Sequence, residues 1–578
     1  MKKIVGFLTV AFFLLSCSKN NSKDMIYFAH TGEITSLDPV YSYDAITHGT
    51  LINIYDTLIA FDGENLDKFI PLISEKVPDF SNGLISKDGL VYKFPIRKGI
   101  KFHNGENLTP EDVKYSILRF AVSDVSGGPS SLLLEPLFGI TSVRDEKGNI
   151  KISKSDFENA VKTENDNVLI KLKKPFAPFL SIMARWSYIM NKNWAISNGE
   201  WDGMYETIKD FTNRPKEKAG IIYKENGTGP YKVLNWEREK KQITLSAFKD
   251  YFRGEPKIKT VMEKTIDEFS TRRLMIERGD ADIIEVPRIY ETQFENLKGV
   301  VLYPKLQRLM TDPVFFFTFK INPTANPDIG SGKLDGEGIP PDFFSDKNIR
   351  KAFAYSFDYE RFITESLKGK AERAYSPVPP NVLRLDGYKK YEFDPEKAKE
   401  HFKKAYGGKV WEKGFKLTLT FNNGSEIRQL ACEILKKNIE ALNPKFKIEI
   451  RGLDWSVYLE KAQNKKMPIF TRGWVGDYSD PHNFIFPFYH SDGRYPKAQN
   501  FSNPEMDILI EKAVRDTSLK GRMETYKKIL NIANEEVYQI YTIHPYGIMA
   551  MREEVKGFVE NPLNMGIYFY SLSKEGVK

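Results

Sequence analysis

Seven histidines, at positions 30, 48, 103, 401, 482, 490 and 544, are the first residues to test for chemistry. None stands four residues from another, so no helix face presents the paired imidazoles of a zinc hydrolase. His482 and His490 lie eight apart near Asp477 and Asp480, a grouping that could approach a metal. Unrelated loop positions explain it more simply, and no metal is expected. Asp477 and Asp480 could be imagined as an acid–base pair, yet two carboxylates three apart in a loop are commonplace. Gly330-Ser331-Gly332-Lys333 ends like a phosphate-binding loop, but Pro327 stands where the first glycine belongs and Leu334 where Ser or Thr belongs. No helix follows to aim its amides at a phosphate. There is no G-x-S-x-G elbow, no H-E-x-x-H and no dinucleotide fingerprint. The residues point away from an enzyme, and no cofactor is expected.

The chain has two cysteines, too few for a disulfide framework. Cys432 falls in a segment that reads as helix, where a buried, inert thiol is expected. Cys17 is different. Lys2 and Lys3 precede an apolar run from Ile4 to Leu15, which ends in Leu14-Leu15-Ser16-Cys17. This is a secretory signal too short to span a bilayer, and its end resembles the lipobox of bacterial lipoproteins. Residues 1–16 are read as a signal peptide, Cys17 as the lipidated residue and 17–23 as a polar tether. The expected location is outside the cytoplasm, lipid-anchored to the cell membrane or outer membrane and facing the periplasm or cell exterior.

The bulk of the chain can build a core: 578 residues include 40 Phe, 29 Tyr and 7 Trp, which excludes disorder. A balance of 85 Lys+Arg against 77 Asp+Glu is too dilute to indicate nucleic acid.

Elements able to hold a site alternate along the chain. Tyr92, Phe94 and Ile96, then Val168, Ile170 and Leu172, then Ile243, Leu245 and Ala247 show the period of strands. Thr109-Pro110-Glu111-Asp112 predicts a helix start, and Asp394-Pro395-Glu396 and Asn503-Pro504-Glu505 repeat that chemistry. Leu417 to Phe421, Asn423-Gly424, a helix over 426–441 and Phe446 to Ile450 read as a βαβ unit. Residues 326–341 are rich in Gly and Pro and read as a surface loop. The class is α/β, in several lobes.

Ordered motifs sharpen this. Glu33-Ile34-Thr35-Ser36-Leu37-Asp38-Pro39, Tyr92 through Gly105, Gly227-Thr228-Gly229-Pro230-Tyr231 and Gly279-Asp280-Ala281-Asp282 come first. Ile349-Arg350-Lys351-Ala352-Phe353 and Gly473-Trp474-Val475-Gly476-Asp477-Tyr478 follow. The series resembles the family 5 extracellular solute-binding proteins of ABC transporters, the oligopeptide- and dipeptide-binding type. Most of these motifs carry turn and cap chemistry and read as scaffold.

The resemblance implies a two-lobed periplasmic-binding-protein-like fold of class II type, with an extra subdomain in the first lobe. It places residues 24–55, 206–286 and 542–578 in lobe I, 56–205 in the additional subdomain and 287–541 in lobe II. It implies that Asp477 takes a peptide's ammonium and that Gly473, Val475, Glu33 and Ile34 flank the ligand with main-chain groups. Trp474 would offer an apolar wall, and Arg472 a contact for a ligand carboxylate. The expected partners are an oligopeptide, the permease subunits of an ABC transporter and the membrane, with the protein a monomer. The rival readings are the same fold binding a nickel complex or an oligosaccharide, or an exported hydrolase or chaperone-like factor.

Overall fold

The structure, a computed structural model, describes residues 23–384, 388, 391–563 and 566–576. The signal peptide, Cys17 and nearly all of the tether lie outside the described residues.

Two sheets organise the chain. The first has seven strands, in the spatial order Val300–Leu306, Gly547–Arg552, Ile283–Glu285, Met25–His30, Thr260–Thr265, Gln242–Ala247 and Tyr231–Glu237. Met25–His30 runs parallel to both of its neighbours, and the other pairs are antiparallel. The second has five strands: Phe446–Leu453, Phe415–Asn422, Ile469–Val475, Met310–Phe317 and Gln539–Tyr541. Phe415–Asn422 and Phe446–Leu453 pair in parallel through helix Glu426–Leu442, the βαβ unit read from the alternation. Cys432 on that helix is fully buried, and burial pushes its thiol up to about 12, an inert group.

The chain passes between the sheets at residues 307–309 and 542–546. Val300–Leu306, which motif order places in the second lobe, forms the edge of the seven-stranded sheet. Ile543–Pro545, placed in the first lobe, pairs with Ala371–Arg373. Alternation identifies a strand but is silent about which sheet receives it. The two passages touch: a Cβ on Gly547 would lie 2.7 Å from Arg308 Nε, so the guanidinium packs directly on that backbone.

A smaller sheet, Val91–Pro95, Asn167–Lys171 and Val161–Glu164, lies within residues 56–205 and packs beside helix Pro110–Ser123. The Asp112 carboxylate accepts from the Thr109 N–H and hydroxyl, closing the helix start expected there. One turn from its end, Arg119 is buried and binds Asp38 through two bonds of 2.8 and 2.6 Å. It also reaches Glu200 at 2.7 Å, and Arg214 binds the same carboxylate at 2.5 Å. Two anions between two guanidiniums form a balanced buried network, so removing one member would strand a charge at a cost of about 3–5 kcal/mol. The Ser36-Leu37-Asp38-Pro39 motif is therefore a joint between the first sheet's domain and this region. Gly227 and Gly229 allow close packing within the first sheet's domain, because a Cβ on either would fall within 2.7 Å of the Asn53–Ile54 backbone.

Candidate ligand-binding site

Strand Ile469–Val475 leads into the site. At its end the Gly476 N–H donates to Leu309 O at 2.6 Å, tying the next loop to the passage between sheets. A Cβ on Gly476 would meet Phe484 at 2.9 Å and Leu309 at 3.0 Å, which explains the glycine. Asp477 follows and is 6% exposed. Its Oδ2 accepts from the Tyr43 hydroxyl at 2.8 Å and from Asn483 Nδ2 at 3.4 Å. Its N–H donates to Asn483 Oδ1 at 2.8 Å, so helix His482–Tyr489 sets the loop from one side.

Residues 56–205 hold the loop from the other side. Arg185 Nη1 donates to the carbonyls of Gly476 at 2.7 Å and Asp477 at 3.2 Å, and Trp186 Nε1 donates to the Asp477 carbonyl at 2.9 Å. Arg185 lies 5.2 Å over the Trp186 ring and donates through Nε to His48. Burial raises the pKa of Asp477 above the usual carboxylate range, opposed by the charge of Arg185 and the hydrogen bonds from Tyr43 and Asn483. No ion pair with a described residue answers this carboxylate. A cavity of about 440 Å³ adjoins it, lined by Tyr43, Phe176, Trp474, Asn483 and Arg494 among others. A buried anion bordering such a space is an acceptor for a cationic group.

The alternative chemistries of the sequence are absorbed structurally. His482 Nδ1 bonds the Tyr478 hydroxyl at 2.8 Å, and burial lowers its pKa to about 3. Its Nε2 lies 3.5 Å from Glu135, whose own pKa rises to about 8 through burial and the repulsion of Glu511. Asp480 binds Arg522 at 2.5 Å. Among the described residues no group of three or more His, Cys, Asp or Glu could hold a metal ion. Ser331 N–H donates to Glu337 O within an irregular loop, with no helix opening on Lys333.

The sequence profile of the bacterial extracellular solute-binding proteins, family 5, middle region, matches residues 70–496. The chain belongs to that family. It is a solute-binding protein and not an enzyme. Relatives include the oligopeptide-binding protein OppA of Bacillus subtilis, 26% identical over 87% of this chain and 84% of that protein. Heme-binding protein A of Haemophilus influenzae is 24% identical over 93% of this chain and 90% of its own. Among solved folds, the periplasmic binding protein DppA of Helicobacter pylori in complex with the peptide STSA superposes with a TM-score of 0.73 at 22% identity. That likeness covers 95% of this chain and 98% of the other. NikZ of Campylobacter jejuni, in complex with Ni(L-His), gives 0.70 at 21% identity over 96% and 100%. The family fold is the α/β, two-lobed type inferred from the motifs.

The structure sorts the residues that the family resemblance singles out. Asp477 and Trp474 line the same cavity, and Trp474 also bonds Asn483 at 3.3 Å and packs its edge on Tyr495. Arg472 is buried and lines an adjoining cavity. Gly473 contributes compactness: a Cβ there would lie 2.5 Å from Asp312, and its carbonyl accepts from the Tyr495 hydroxyl at 2.6 Å. Val475 pairs with Met310 and is 37% exposed. Glu33 is exposed and Ile34 packs in the core, and neither lines the two cavities. Tyr43, Arg185, Trp186 and Asn483 were missed. Only Asn483, six residues past Asp477 at a helix start, carried a local signal; the others lie about 290 to 430 positions away.

Proposed function

We propose that this protein is an exported lipoprotein, anchored through Cys17, that captures oligopeptides and passes them to the permease of an ABC transporter. It acts as a monomer whose first lobe is built on the seven-stranded sheet and second lobe on the five-stranded sheet. Residues 56–205 form the subdomain of the first lobe, and the passages at 307–309 and 542–546 serve as its hinges. The observation that carries the reading is Asp477: a carboxylate buried beside a cavity, with neutral donors and no paired cation among the described residues. A peptide's α-ammonium supplies the missing charge, and every free peptide has one. Closure over the ligand is a population shift, and transport energy comes from the partner ATPase.

Calorimetry with free and N-acetylated forms of the same peptides tests this. Free peptides are expected to bind at least ten-fold more tightly, and Asp477→Asn is expected to erase that difference. Equal affinity of the two forms for the wild type would contradict the assignment. Binding that requires added nickel would redirect it to a metal complex.

A further inference from the structure

Helix Ser131–Phe138, within residues 56–205, brings Glu135 to the start of helix His482–Tyr489, where His482 Nε2 lies 3.5 Å from its carboxylate. Their approach satisfies neither group. His482 is 1% exposed, and its Nε2 has no hydrogen-bond partner among the described residues. The Glu135 side chain is 26% exposed and makes no ion pair with a described Lys or Arg. Both side chains line two cavities at once, the one of about 440 Å³ that Asp477 borders and a neighbour of about 290 Å³. Phe176 and Phe486 line both cavities as well, their rings 5.4 and 5.3 Å from the His482 imidazole.

An acid, a neutral acceptor and two aromatic rings around one gap are the components of a cation site. His482 Nδ1 bonds the Tyr478 hydroxyl at 2.8 Å, and the tautomer that donates from Nδ1 leaves the Nε2 lone pair for an incoming N–H. Burial lowers the His482 pKa to about 3, so the ring adds no positive charge of its own. Two cations of the smaller cavity are already taken: Arg515 pairs with Glu511, and Lys173 with Asp156 at 2.9 Å. Lys151, Lys174, His490 and Asp492 complete its ionisable lining, and the buried phenols of Tyr478 and Tyr526 lie near Glu135.

We propose that Glu135 and His482 bind the ammonium or guanidinium of a ligand side chain, so that the receptor favours peptides containing Lys or Arg. This rests on the peptide reading given above and names the substrate class within it. It also leaves a signature. Burial and the repulsion of Glu511, opposed by Arg515, raise the Glu135 pKa to about 8, so the unliganded carboxyl holds a proton at pH 7 that an arriving cation displaces.

Calorimetry on the full chain tests this with Ala-rich peptides of three to six residues, in matched pairs that differ only by Lys or norleucine at one position. At pH 7 the Lys member is expected to bind at least about ten-fold more tightly at one position, as a charge-assisted contact provides. Enthalpies in two buffers of different ionisation enthalpy are expected to show that it also releases about half to one proton more than its partner. Glu135→Gln is expected to bring the preference below about two-fold and to remove the extra proton, whereas Glu135→Asp retains a preference of the same sign. If Glu135→Gln fails to fold, the wild-type affinities and proton count decide. Equal affinity of Lys and norleucine peptides at every position overturns the subsite, as does a preference without the extra proton or one that survives in Glu135→Gln. If no peptide of either series binds, the peptide reading fails by itself, and L-lysinamide against L-norleucinamide then decides the subsite. Tighter binding of L-lysinamide with the extra proton supports it; equal or absent binding overturns it.

Discussion

Gly473 shows how tightly one residue near the site is fixed. The Asp312–Arg428 ion pair packs against its α-carbon, and any side chain would push into Asp312. Gly473→Ala is expected to lower stability by about 1–3 kcal/mol, the usual cost of overpacking, read as a shifted midpoint in urea with an unchanged slope. The displaced Asp312 would also loosen Arg428, which it holds through two bonds. Asp477 stands at the same scale with the opposite logic. Its neighbours leave its charge incompletely answered, a costly arrangement for a purely structural residue.

At the scale of elements, strand Thr260–Thr265 is central in the first sheet yet carries a buried acid. Glu263 is 2% exposed, its Oε2 accepts from Thr50 at 3.2 Å, and Oε1 has no partner among the described residues. Burial raises its pKa from 4.5 to about 8, so the folded state holds a proton that the unfolded chain releases. The stability this contributes is complete below about pH 4.5 and is lost as pH rises through about 8. The melting temperature of Glu263→Gln relative to the wild type is expected to rise across that window. Asp56, raised to about 7 by burial, acts in the same direction and preserves part of the slope. A variant profile superimposable on the wild type would refute the role of Glu263.

At the scale of the whole molecule, residues 56–205 clasp the Asp477 loop through main-chain acceptors. Arg185 and Trp186 place three bonds on the carbonyls of Gly476 and Asp477. In the two-lobed reading proposed above, these bonds join parts that hinge motion separates and so favour the closed form. Hydrogen bonds from a charged donor contribute about 1.5–3 kcal/mol. Arg185→Met is expected to speed ligand dissociation at least ten-fold and to change the association rate far less. Stopped-flow tryptophan fluorescence, to which Trp186 of the clasp contributes, measures both. An unaltered dissociation rate would assign Arg185 to scaffold alone.

Local rules carried much of the architecture. The Thr109-Pro110 helix start, the βαβ unit over 415–453 and the inert Cys432 follow from caps, periodicity and apolar spacing, which act over a few residues. Motif order was enough to name the family and single out Asp477. The sequence did not say that Val300–Leu306 joins the first sheet, because alternation fixes a strand's faces and leaves its neighbours open. Nor did it say that Asp477 meets Tyr43 and Arg185, or that Arg428 takes Asp312. Burial and the pairing of charges are properties of three-dimensional neighbourhoods, and only the tertiary structure brings residues hundreds of positions apart into one of them.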